Sequence, residues 1–181
     1  MDTTADTTSF RRYTDLASLA GILSSSSLTL LDPTTWDDRN DGRYLSIYKE
    51  RLKLTSVLAL CFSQAAETYH HWKVFAPGST GVCIVLNANL LLMSIAKVPD
   101  VQGGEVHYLK LDNVRQVSLG VNALPFAKRY GYQPEEEYRV LYSSATEERY
   151  VFTGYGNAAS RNIKPAVMDG LRAQARASIS R

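Results

Sequence analysis

Glu135-Glu136-Glu137-Tyr138-Arg139-Val140 runs straight on into Leu141-Tyr142, and the fold turns on how this stretch is read. Aromatic and β-branched residues fill its second half, which makes it a β-strand rather than a helix. Side chains alternate along a strand, so Glu135, Glu137 and Arg139 share one face while Glu136, Tyr138 and Val140 share the other. Tyr138, Val140 and Tyr142 form a packed face. The opposite face then carries two carboxylates and a guanidinium, and residue types alone place such a face in solvent. The sequence upstream argues instead that it belongs to a site.

The chain has 181 residues, 45% of them hydrophobic and 21% charged, with 20 basic against 18 acidic residues and a formal net charge of +2. One domain is expected at this length, with enough chain to bury a sizeable core. So even a balance is not a polyanion-binding composition, although a local basic patch stays open. Met1 to Ser9 is polar and threonine-rich and lacks the basic and apolar regions of a secretory signal. The apolar run at Leu90-Leu91-Leu92-Met93 is far too short to span a bilayer. Cys61 and Cys83 sit in apolar, strand-like runs as small buried thiols do, and two such residues make neither a disulfide framework nor a metal site. A bacterial-type cytoplasm is the expected compartment, with no membrane partner.

Residues 1–9 read as a disordered leader and 10–181 as a single catalytic-type domain. Phe10 to Tyr13 reads as a short strand or turn. Asp15 then precedes Leu16, Leu19, Ile22 and Leu23, spaced for one helix face and ending at Ser24 to Ser27. Leu28 to Leu31 restarts as a strand that Asp32-Pro33 stops. Trp36 to Gly42 is a loop leading into a helix over Arg43 to Leu52. Ser56 to Phe62 is continuously apolar, as a buried central strand is, and stops at Ser63. His70 to Phe75 is a short helix, Val82 to Leu86 a strand, and Asn87 caps a helix over Ala88 to Ala96. Val101 to Leu109 and Glu137 to Tyr142 supply further strands. The tail from Ile163 to Ile179 is helical, with Pro165 tolerated in its first turn. The fold class is α+β, with a mixed, mostly antiparallel sheet split into two packed halves and flanked by helices.

This order of pieces resembles a bacterial family catalogued as domain of unknown function 2971, over roughly Phe10 to Tyr142. The resemblance rests on Arg12-Tyr13, Leu28 to Pro33, the loop Trp36 to Asp41, Leu60-Cys61-Phe62-Ser63, Trp72 with Phe75, Gly81 to Ile84, Lys128, and Glu137-Tyr138-Arg139. Where the family usually shows Phe-Asn-Asp-Pro, Trp36 replaces the phenylalanine and no proline follows Asn40-Asp41. A more distant resemblance is to ADP-ribosyltransferases, in the order of an early-strand arginine, a serine ending a central strand and a late-strand Glu-x-Glu. It implies an ADP-ribosyltransferase-like fold that uses NAD as substrate, and a bacterial toxin or phage-defence effector. Arg12 (with Tyr13), Ser63, and Glu135 with Glu137 are the counterparts.

The chemistry fits those residue types. Breaking the nicotinamide–ribose bond builds positive charge on the sugar, as in glycoside cleavage. A carboxylate fixed beside that sugar stabilises the charge, and removing such a group costs about 3–4 kcal/mol. Glu137 is the leading catalytic candidate, with Glu135 beside it and Arg139 as the partner that orients it. Arginine suits a diphosphate because its planar fork makes paired hydrogen bonds. Arg12 is the candidate, although Arg11 would serve equally well. Tyr13 or Trp72 can stack on the nicotinamide, and Ser63, Asn40 and Asp41 complete the cofactor-binding set. Trp72 and Phe75 at helical spacing more often form core, and Ser63 serves equally as a strand-ending turn residue. His70-His71 has no ligand cluster around it, so metal is not expected. An NAD glycohydrolase would use the same carboxylate, and a nuclease would use Glu135, Glu137 and His71. From another class, the chain reads as a non-catalytic interaction domain, an antitoxin or immunity partner. The enzyme readings imply an antitoxin and a protein or nucleic-acid acceptor as partners, and expect Arg12, Ser63 and Glu137 to line one cleft.

Overall fold

Strand-forming runs punctuated by capping residues set the order of elements in the computed structural model, which describes residues 9–36, 38–110, 119–146 and the backbone of 172–174. In chain order these are β1 (Ser9–Asp15), α1 (Leu16–Ser25), a 3-10 turn (Pro33–Thr35), α2 (Arg39–Leu52), β2 (Ser56–Ser63), α3 (Tyr69–Phe75), β3 (Gly81–Asn87) and α4 (Ala88–Ile95). Then follow β4 (Val101–Glu105), β5 (His107–Leu109), a 3-10 segment (Val121–Phe126), β6 (Ala127–Arg129), a second 3-10 segment (Tyr130–Glu135), β7 (Glu137–Ser144) and β8 (Arg172–Gln174). Every α-helix opens on a side chain that accepts an otherwise unpaired N–H. Asp15 takes that of Ser18, Asp38 that of Asn40, Thr68 that of His71 and Asn87 that of Leu90. Each such cap contributes about 1 kcal/mol. Among the described residues no helix is long and apolar enough to cross a membrane.

The chain forms two compact units, residues 1–28, 62–98 and 152–181 in the first and 29–61 and 99–151 in the second. In the first unit β1 lies antiparallel to β3 along its whole length, from Ser9 opposite Asn87 to Asp15 opposite Gly81. Arg11 faces Ser63 at the end of β2, and β8 pairs antiparallel with β3. Tyr13, Ala76 and Cys83 form a buried cluster against which Trp72 and Val85 pack. Helix α1 buries Leu19 but leaves Leu16 at 55% and Leu23 at 48% exposure, so only part of its apolar stripe is covered.

In the second unit β7 lies between β4 and β2. Leu45 and Tyr48 of α2 pack on Val57, Ala59 and Leu141, with Trp36, Leu54, Val121, Leu124 and Phe126 around them. β5 and β6 make a separate parallel pair. The α+β class with a mixed, mostly antiparallel arrangement is thus the one observed.

Several boundaries differ from the sequence expectation. Leu28 to Leu31 is not a continuous strand: Leu31 and Ala59 exchange both backbone hydrogen bonds as an isolated antiparallel bridge, Thr29 forms a second bridge, and Pro33 opens a 3-10 turn. The loop after Trp36 is shorter than expected. With Asp38 as cap, Asn40, Asp41 and Gly42 all lie in the first turn of α2. Val101 to Leu109 breaks at Val106, whose N–H turns to the Glu137 carbonyl. The expected C-terminal helix falls mostly outside the described residues, but Arg172–Gln174 within it is a strand, its backbone drawn into pairing with β3. The expected leader also lies outside them, save Ser9, which begins β1.

Gly81, which opens β3, tests the packing of the first unit. A Cβ there would overlap the Ala76 carbonyl oxygen and sit 3.0 Å from the Ala76 Cβ, so backbone has to move. Gly81→Ala is expected to lose roughly 2 kcal/mol of stability, as overpacked positions do, measured by urea denaturation.

Candidate functional site

Between the 3-10 segment that ends at Glu135 and the strand that begins at Glu137, Glu136 takes a left-handed conformation with φ of +42°. This one twist puts Glu136 in solvent and turns its two neighbours inward. Glu135 is therefore not part of the strand, yet it still shares a side with Glu137 and Arg139. The solvated face that residue types suggested is not there. Glu135 is 4%, Glu137 5% and Arg139 0% exposed.

Arg139 organises the cluster. Its Nη1 and Nη2 donate to Asp41 Oδ1 and Oδ2 at 2.9 and 2.8 Å. Nε reaches Glu137 Oε1 at 2.9 Å, Nη2 lies 2.7 Å from the same oxygen, and Nη1 also donates to the Pro125 carbonyl at 2.6 Å. All five guanidinium N–H groups thus have acceptors in reach. Lys128 Nζ bridges the Glu-x-Glu pair, donating to Glu135 Oε2 at 2.6 Å and Glu137 Oε2 at 3.0 Å, with Asp41 Oδ2 at 3.8 Å. The Glu137 N–H donates to Tyr108 Oη at 2.8 Å, and the Cys61 thiol hydrogen-bonds the Glu137 carboxylate. The Trp36 ring lies 5.0 Å from Arg139 Cζ and the Tyr132 ring 4.8 Å from Lys128 Nζ.

Asp41, Glu135 and Glu137 outnumber Arg139 and Lys128 by one charge, and the carboxylates respond unequally. Burial pushes the Glu137 pKa up, but Arg139 and Lys128 together overcome it and hold the group at about 2. Burial wins at Glu135 and at Asp41, each raised in spite of Lys128 or Arg139 beside it. Burial works against the Lys128 ammonium, yet Glu137 and Glu135 keep it protonated above the ordinary lysine value. Tyr108 is pushed up to about 12, chiefly by burial. Two carboxylates two residues apart therefore hold opposite preferences, one fixed as the anion and its neighbour drawn toward its proton, as acid and base partners do.

Of the residues singled out in the sequence, Asp41, Glu135, Glu137 and Arg139 meet here, and the expected Arg139–Glu137 pair is present. Asp41 sits in a helix rather than a loop, and with both oxygens held by Arg139 it orders the cluster instead of facing a ligand. Asn40 beside it is exposed, its Nδ2 3.5 Å from Asp38 Oδ1. Arg12, Tyr13, Ser63 and Trp72 belong to the first unit. Arg12 is half-buried on β1 opposite Ile84. Tyr13 is buried, its ring stacked on His71 at 5.3 Å and meeting Trp72 edge-on at 5.3 Å, so both aromatics are engaged in core contacts. Trp72 Nε1 donates to Glu67 at 3.0 Å. Ser63 Oγ accepts the Ala65 N–H at 3.2 Å and lies 3.5 Å from His71 Nε2. Arg12 and Ser63 thus lie in one unit and Glu137 in the other.

Sequence reasoning overlooked what Lys128, Tyr108 and Cys61 do. A lysine between Pro125-Phe126-Ala127 and a downstream Glu-x-Glu was the available signal for the first, since an ammonium in apolar surroundings needs a carboxylate. Cys61, expected to be a small buried thiol, is half-buried and touches Glu137.

Beyond the orienting role expected of it from the sequence, Arg139 is a fully buried guanidinium and carries structural weight. Arg139→Met leaves three carboxylates to one ammonium and is expected to cost about 3–5 kcal/mol in urea denaturation. Glu137 sets an acid limit on stability. Its pKa falls from 4.5 to about 2 on folding, so its contribution is complete above the unfolded value and is lost as pH drops toward 2, roughly 3 kcal/mol in all. Asp41 and Glu135, shifted upward, act in the opposite sense and lose their contribution as pH rises through their folded values. The difference in unfolding free energy between the unmodified protein and Glu137→Gln, measured across pH 2 to 5, is expected to shrink on acidification.

No protein-family model, no curated protein and no solved structure matches this chain.

Proposed function

We propose that this protein is an ADP-ribosyltransferase-like enzyme of the domain of unknown function 2971 family, taking NAD as substrate. The observation that carries the proposal is the Lys128 ammonium shared by Glu135 and Glu137, with Arg139 clamping the second of them. In this reading Glu137 remains ionised and stabilises the ribosyl cation as the bond between C1′ and nicotinamide breaks. The bonding pair leaves with nicotinamide, an acceptor atom bonds to C1′, and the acceptor's proton passes to Glu135. Tyr132 lies against Lys128 and Trp36 against Arg139. A bacterial toxin or phage-defence effector, checked by an antitoxin in the cytoplasm, is the setting that the family resemblance suggests.

One observation favours a second reading. Asp41, Glu135, Glu137, Lys128 and Arg139 all find partners within the chain, as in a cluster that serves folding alone. The protein is then a non-catalytic interaction domain, such as an antitoxin or immunity partner.

Incubation with NAD while following free nicotinamide separates the two. The transferase reading expects release, with Glu137→Gln lowering the rate on the order of 100-fold or more and Glu136→Gln changing it little. Glu137→Gln removes the surplus negative charge and leaves Lys128 with Glu135 and Arg139 with Asp41, so the variant is expected to fold. No release by the unmodified protein, or equal rates in both variants, would leave the interaction domain as the reading.

A further inference from the structure

Two cations and then two tyrosines, Lys128-Arg129-Tyr130-Gly131-Tyr132, fill the segment that leads into Glu135. β5 and β6 run parallel with Leu109 opposite Arg129. The residue after each comes next to its counterpart, Lys110 Nζ lying 4.7 Å from the centroid of the Tyr130 ring. Two residues on, Arg129 Cζ lies 5.3 Å from the Tyr132 ring, and its Nη2 donates to Tyr132 Oη at 3.1 Å. Tyr130 is 48% exposed, Lys110 and Arg129 are exposed, and Tyr132 is partly so. Arg129 Nη2 has Asp38 at 3.7 Å, whereas Lys110 has no carboxylate partner among the described residues. The 3-10 segment that presents both rings ends in Glu135 itself.

Neither tyrosine is a core residue, and each carries a cation against its ring. A partner that uses both features has a flat π-face and a negative charge repeated along it. An acidic peptide would engage the cations and leave the rings idle. A single-stranded nucleic acid uses both, stacking bases on tyrosine while phosphates meet lysine and arginine. Stacking a base on an aromatic ring is stronger than an exposed cation–π contact, and the flexible lysine stem lets its ammonium move from ring to phosphate.

We propose that Tyr130, Tyr132, Lys110 and Arg129 form a docking ledge for single-stranded nucleic acid, the acceptor in the transfer; its role as acceptor rests on the transferase reading above. An exocyclic amine or a hydroxyl of the docked strand forms the new bond to C1′. Nicotinamide leaves with the old bonding pair, and Glu135 takes the displaced proton.

The test uses the full chain and a fluorescein-labelled single-stranded DNA of mixed sequence, roughly 12 nucleotides long and containing adenine, cytosine and guanine, within the span of such sites. Fluorescence anisotropy is expected to show binding that weakens as salt rises. Tyr130→Ala is expected to weaken it roughly 5-fold or more, and Tyr130→Phe to preserve it. Lys110→Ala is expected to reduce the slope of log affinity against log salt by about 0.7. Absence of binding, or equal binding by Tyr130→Ala with an unchanged melting temperature, overturns the ledge. Adding NAD distinguishes the two proposals. Oligonucleotide bound through Tyr130 with no nicotinamide released keeps the ledge and defeats the transferase reading. Nicotinamide released with ADP-ribose found on protein rather than on the strand defeats the acceptor proposal and keeps the transferase.

Discussion

A guanidinium with no exposure at all is the constraint around which the second unit is built. Arg139 stays protonated at any pH at which proteins fold, and its charge in an apolar interior is tolerable only if every N–H finds an acceptor. Asp41, Glu137 and the Pro125 carbonyl supply them. Those acceptors come from a helix start 98 residues away, a 3-10 segment 14 residues away and the start of the same strand two residues before. Each of these pieces has to arrive at the same point for Arg139 to be buried. The cluster also fixes register, since a slip of one residue in β7 would carry Glu136 and Tyr138 inward and strand Arg139 among apolar neighbours on the wrong face.

Such a network adds little net stability, because desolvation offsets most of the attraction between its charges. Its more consequential property is asymmetry. Glu137 touches both cations and is held ionised, whereas Glu135 touches only Lys128 and burial dominates. The difference comes from one strand step that brings Glu137 beside Arg139. The left-handed Glu136 is what allows two carboxylates of a three-glutamate run to face one ammonium, at a backbone cost of about 1–2 kcal/mol for a residue with a Cβ.

The first unit handles its polar groups differently. His71 is buried, with Nδ1 at 2.8 Å from Thr68 Oγ1, Nε2 near Ser63 Oγ, and its ring stacked between Tyr13 and Phe75. Both ring nitrogens have neighbours and both faces are covered, as in a satisfied core histidine. His71, which a nuclease reading would use with Glu135 and Glu137, is already engaged at both ring nitrogens.

What the sequence determined by itself was mostly local. Asp15, Asn87 and the apolar run from Ser56 to Phe62 announce their elements because capping hydrogen bonds and continuous burial act within a few residues. The shared side of Glu137 and Arg139 was legible for the same reason, as was their pairing, whereas Glu135 joins them only through the left-handed turn at Glu136. Whether that side met water or protein was not legible. Glutamate and arginine are exposed by default, and only partners at Asp41 and Lys128, 98 residues before Arg139 and nine before Glu137, reverse the default. Tertiary structure alone assigned Asp41 to Arg139 and Lys128 to two carboxylates. It did so because a buried charge is tolerated only where acceptors converge in space, and their convergence is invisible along the chain.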